Sequence, residues 1–100
     1  MVSFQLDHGE ATHASAPATF YLPPLEARTC LTPGDIVKLV FRIEHDGDID
    51  VERLWVIVRS TGLSGYVGAL DNQPYCADEL EPSTLVQFGR EDVIQIHQTD

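Results

Sequence analysis

The chain has 100 residues, 43% of them hydrophobic, and carries a formal net charge of −10. That is the size of one domain with a single core, and the composition is that of a folded globule. Sixteen acidic residues against Arg28, Lys38, Arg42, Arg53, Arg59 and Arg90 argue against phosphate backbones and anionic membrane surfaces as partners; a basic protein partner would be attracted, but solubility is the plainer account of the charge, which alone names no partner.

Residues 1–7 (MVSFQLD) read as a short edge strand, and residues 8–19 (HGEATHASAPAT) as an aperiodic, polar arm. The N-terminus lacks a basic region followed by an apolar one, so no secretory signal is expected and the cytoplasm is the default compartment. No apolar run approaches membrane-spanning length. The domain proper is placed at residues 20–100. FYLPP leads into LEARTCL, where Pro24 suits the first position of one or two helical turns and Leu25 with Cys30 or Leu31 would face the core. Thr32-Pro33-Gly34-Asp35 then forms a tight turn.

The strands follow. In IVKLVFRI, Val37, Leu39, Phe41 and Ile43 share one face, with Lys38 and Arg42 opposite. Asp46-Gly47 centres an acidic hairpin tip. VERLWVIVRS resumes as a strand that is apolar on both faces from Leu54 to Val58, the pattern of a central strand. After a turn at Thr61–Gly65 comes YVGALDN, in which Gly68 marks a bulge or a close backbone approach. Residues 71–83 read as a loop. TLVQFG and DVIQIH close the sheet, with Val86/Phe88 and Ile94/Ile96 as the inward pairs. The expected fold is mainly β: a small SH3-like barrel or highly curved antiparallel sheet of five to six strands with one short helix.

Chemistry is less legible than architecture. Asp46, Asp48 and Asp50 have the spacing that opens a calcium loop. However, Val51 and Ile57 stand where an EF-hand needs glycine and glutamate, and a solvated tip that resists edge pairing is the better account. The four histidines and two cysteines show no zinc-ligand spacing, so neither metal nor cofactor is expected. Cys30 and Cys76 are expected to be free thiols. The acidic surroundings of Cys76 would disfavour a thiolate nucleophile partnered by His97. Ser64 is not a nucleophile elbow, because Tyr66 stands where glycine is required. Trp55 reads first as core. If it instead faces a groove with Tyr66 and Tyr75, it anchors a binding surface. Asp71 and Asn72 complete the tentative binding set.

Several motifs occur in a fixed order: Pro33-Gly34-Asp35, Glu52-Arg53-Leu54-Trp55-Val56, Gly65-Tyr66-Val67-Gly68, Leu70-Asp71-Asn72, Pro74, Val86, Phe88 and Val93-Ile94. In this order the chain resembles, over residues 20–97, a group of small bacterial domains of unknown function, one branch of which is predicted to act as immunity proteins in polymorphic toxin systems. The arm at 8–19 lies outside that pattern, and Cys76 departs from the apolar residue expected there. The resemblance carries no catalytic residues with it. It implies a non-enzymatic protein-binding module, in its specific form an acidic inhibitor of a basic toxin domain. The alternative is a small-molecule-binding protein or small enzyme with a pocket near Asp71–Cys76. A third reading is a homodimer formed through exposed edge strands.

Overall fold

The computed structural model describes residues 2–7, 22–72 and 81–97. Six strands form one antiparallel sheet: β1 (Val2–Asp7), β2 (Ile36–His45), β3 (Asp48–Gly62), β4 (Gly65–Leu70), β5 (Leu85–Phe88) and β6 (Val93–Ile96). A five-residue helix, α1 (Leu25–Thr29), precedes β2, and a 3-10 turn at Arg90–Asp92 separates β5 from β6. The strand order is β1-β2-β3-β4-β5, and β6 returns to pair with β2. The sheet therefore curls into a half-barrel, as the alternation of β2 and the regular spacing of the strands predict. Among the described residues no helix is long and apolar enough to cross a membrane.

Strand β2 organises the sheet. One edge pairs with β3 along its whole length, from Ile36↔Ile57 to His45↔Asp48. The other edge is divided. Residues 40–45 pair with β1, and residues 37–39 pair with β6. The His97 N–H also donates to the Ile36 carbonyl at 2.8 Å. On the inward face Val37, Leu39, Phe41 and Ile43 are fully buried, packed with Leu54, Val56, Val58, Leu70, Val86, Phe88, Val93 and Leu31. Phe4 and Leu6 cover the far end, Phe4 at 5.3 Å between ring centroids from Phe41.

The turns have the chemistry the sequence demands. In Thr32–Asp35 the Asp35 N–H donates to the Thr32 carbonyl at 3.0 Å, with Gly34 at φ 99° as a proline–glycine turn requires. The β2–β3 hairpin closes through Asp46 (φ 48°) and Gly47 (φ 85°), a pair of left-handed residues matching the twist of the strands.

Two sequence expectations about the core are corrected. Ile94 does not point inward with Ile96. A register shift opposite Lys38/Leu39 leaves Ile94 as the extra residue of a bulge, so Val93 and Ile96 face the core while Ile94 joins Val40 and Leu22 in a small cluster on the other face. In the helix, Leu25 and Cys30 are exposed; Leu31 and Arg28 are the buried residues. Pro24 lies before the first turn, and its carbonyl accepts the Arg28 N–H at 3.1 Å. The Arg28 guanidinium donates from Nε to the Pro23 carbonyl (3.0 Å) and from Nη1 to the Arg90 carbonyl (3.1 Å), which ties α1 to the 3-10 turn. The buried Asp92 holds that turn by accepting the Gly89 N–H at 2.8 Å. The Tyr66 hydroxyl completes the knot by donating to the Arg28 carbonyl at 2.9 Å.

Gly68 meets both readings of its role. It sits opposite the Val58/Ser60 bulge of β3. A Cβ there would overlap Val56 Cγ1, approach the Ile57 carbonyl oxygen to 2.8 Å and approach Phe88 Cε1 to 3.2 Å. Gly68→Ala is therefore expected to destabilise the fold by about 1–3 kcal/mol, read as a lowered urea midpoint at unchanged slope. Arg28→Met keeps the stem and removes the donors. Its expected cost is about 2–3 kcal/mol, and an unchanged midpoint would show that the clamp is dispensable.

Candidate functional site

The sheet offers three places where function could sit: the outward face around Trp55, the cleft beside Tyr66, and the free end of the β2–β3 hairpin.

Trp55 lies on the outward face of β3, half-buried, because the inward positions of this strand are the even-numbered Leu54, Val56 and Val58. Its ring is already engaged. Lys38 Nζ, directly across the β2–β3 ladder, sits 4.5 Å from the ring centroid, and His97 meets the ring edge-on at 5.7 Å. The Trp55 N–H donates to Asn72 Oδ1 at 2.6 Å, and its carbonyl accepts the Asp71 N–H at 2.9 Å. Trp55, Asp71 and Asn72 are thus brought together, but by backbone pairing. Asn72 extends the β3–β4 ladder with its side chain, one residue pair beyond Val56↔Leu70. Tyr66 is not in this group. It lies on the inward side of β4, stacked on Phe88 at 5.3 Å. Tyr75 and Cys76, with the remainder of residues 73–80, lie outside the described residues. Cys30 is a free, exposed thiol.

The cleft of about 350 Å³ beside Tyr66 is lined by the Gly62–Tyr66 turn, Thr29 and Gly89–Glu91. Backbone and turn residues form most of its wall. The Tyr66 hydroxyl, its best-placed polar group, is already committed to Arg28. Among the described residues no three His, Cys, Asp or Glu side chains converge as a metal site.

The hairpin end is different. β4 accompanies β3 only from Val56 onward, so residues 48–54 project with β2 as an arm. Five carboxylates fall within residues 44–52: Glu44, Asp46, Asp48, Asp50 and Glu52. On the outward face of the same segment Ile49 is 57% exposed and Val51 53%. Exposed apolar side chains within an acidic rim are the composition of a contact surface. The sequence signal is Asp48-Ile49-Asp50-Val51, where acidic and apolar residues alternate with strand period, although the acidity of the stretch is also that of a hairpin tip.

Comparison with known proteins adds no relative: no family model matches the chain, and no curated protein or solved structure matches it.

At the arm, His45 Nε2 and Asp50 Oδ2 are 2.7 Å apart. The imidazole pKa is raised, first by the hydrogen bond to Asp50 and further by the charges of Asp50, Asp46 and Asp48, against a partial loss from burial. A raised folded-state value means that the pair stabilises the hairpin below the unfolded histidine pKa of about 6.5 and ceases to do so as pH rises through the folded value. The Asp50 carboxylate is more than half exposed, so the effect on stability is small. In an NMR titration the His45 midpoint is expected above about 6.5, and Asp50→Asn should lower it. A midpoint indifferent to that substitution would remove the pair from the account.

Proposed function

We propose that this protein is a non-enzymatic binding module that uses the β2–β3 arm to hold a basic protein partner, in its specific form an immunity-like inhibitor of a basic toxin domain. The observation that carries this reading is the arm itself: five carboxylates in nine residues around the exposed Ile49 and Val51. Support also comes from the net charge of −10 and from the resemblance in motif order to domains of which one branch is predicted to be immunity proteins. Carboxylates on a projecting hairpin raise the encounter rate with a cationic surface, and the two apolar side chains then supply contact area that water leaves. The five carboxylates of residues 44–52 outnumber Arg42 and Arg53, the two arginines of the arm. Arg42 is engaged by Asp7 at 3.0 Å, and Lys38 lies over Trp55.

The test uses the tagged chain to capture a partner from host lysate, with stepwise salt elution, followed by kinetics on the purified pair. A basic protein should be enriched, and its association rate should fall steeply with ionic strength. Asp46→Asn combined with Asp48→Asn should slow association several-fold while leaving the fold intact, since asparagine tolerates the left-handed conformation at position 46. An association rate indifferent to salt and to these substitutions would remove electrostatic steering. Absence of any basic partner would remove the reading itself.

A further inference from the structure

The arm offers more than charge, because among the described residues no strand pairs with the β4-side edge of β3 between Asp48 and Val51. The β2–β3 register runs without a break from Ile36↔Ile57 to His45↔Asp48, so backbone groups alternate regularly along this part of β3. The N–H and C=O of Trp55 point to the β4 side, where Asn72 and Asp71 satisfy them. Those of Val51 and Ile49, four and six residues earlier on the same strand, point the same way. Among the described residues no hydrogen bond reaches them from that side. Both residues are more than half exposed. An edge of this kind is a template for one more strand.

We propose that the β3 edge from Asp48 to Val51 is a strand-addition site that receives an extended basic segment of the partner, with lysine or arginine alternating with apolar residues. The proposal rests on the reading of the protein as a module for a basic partner. Alternation selects the occupant. Asp48 and Asp50 point to one face of the strand, and Ile49 and Val51 to the other. An added strand therefore needs cations on one face and apolar side chains on the other to form favourable cross-strand pairs. A second copy of this chain is a poor occupant. Edge-to-edge pairing of two arms would bring like carboxylates together on two chains that each carry −10.

The experiment uses the full chain, labelled with ¹⁵N, and a capped octapeptide of alternating lysine and valine as the probe. Two further probes carry N-methyl groups, one on every valine and the other on every lysine. Methylation removes the backbone donors of one edge of the peptide while keeping its charge. Strand addition requires that the Ile49 and Val51 amides exchange more slowly when the octapeptide is bound, and that one of the two methylated probes loses at least about tenfold in affinity. The inference is overturned if the octapeptide fails to bind at low salt, if both methylated probes bind as well as the parent, or if binding leaves Ile49 and Val51 exchange unchanged. A concentration-dependent dimer that protects the same two amides would also overturn it, because the occupant would then be a second copy. The two readings fail separately. A captured basic partner that leaves the edge amides unprotected sinks strand addition alone. An octapeptide seated on the edge of a chain that captures no basic protein sinks the partner reading alone.

Discussion

The structure depends on β2 having two neighbours along one edge. Between Leu39 and Val40 that edge passes from β6 to β1. A single long strand thereby closes the curl of the sheet with its first half and carries a separate hairpin arm with its second. The four inward residues Val37, Leu39, Phe41 and Ile43 span both halves and are fully buried, so the core is continuous across the handover. The β6 bulge lies at the handover. It turns Ile94 outward onto Val40, the residue where β1 takes over, and Leu22 packs there as well. Without the bulge, Ile94 would follow the simple alternation inward and the outer cluster would lose a member.

This division explains why charge and apolar surface collect where they do. The closed half needs its outward positions for its own contacts: Trp55 under Lys38 and against His97, and Asn72 capping the ladder. Among the described residues the arm's strand pairing outside the hairpin is with β1, which pairs with residues 40–45. The arm can hold acidic residues at nearly every second position, at little desolvation cost, because they stay in water. It can also leave Ile49 and Val51 uncovered. Acidic residues along the β3 edge disfavour pairing between identical copies, and under the proposal made above the same residues would receive a cationic strand.

Much of the architecture was legible because it rests on local rules. The alternation of Val37, Leu39, Phe41 and Ile43, the Asp46-Gly47 turn, the Pro33-Gly34 turn and the tight spot at Gly68 each follow from one short stretch of sequence. What escaped depends on partners distant in the chain. Ile94 faces outward because β6 bulges against β2, which nothing near Ile94 announces. Arg28 is buried because Arg90, 62 residues away, offers it a carbonyl beside that of the nearby Pro23. An arginine in a short polar helix otherwise reads as surface. Trp55 leaves the core because its parity on β3 opposes that of Leu54 and Val56, and a run apolar on both faces cannot reveal which face is inward. For the same reason the tentative binding set divides. Trp55, Asp71 and Asn72 meet through a backbone splice, whereas Tyr66 belongs to the Arg28 knot.

The bond from the His97 N–H to the Ile36 carbonyl joins the start of β2 to the end of β6, the last strand of the sheet. Such a closure dictates a sequence of events during synthesis. The β2–β3 hairpin is local and can form as soon as it leaves the ribosome. Val37 and Leu39, however, have no complete cover until β6 has been made, nearly the whole domain later. Non-local pairing of this kind slows folding and prolongs the exposure of apolar strands. Carboxylates at alternate positions of the hairpin repel their like on another chain, which opposes edge-to-edge pairing while the sheet is still open.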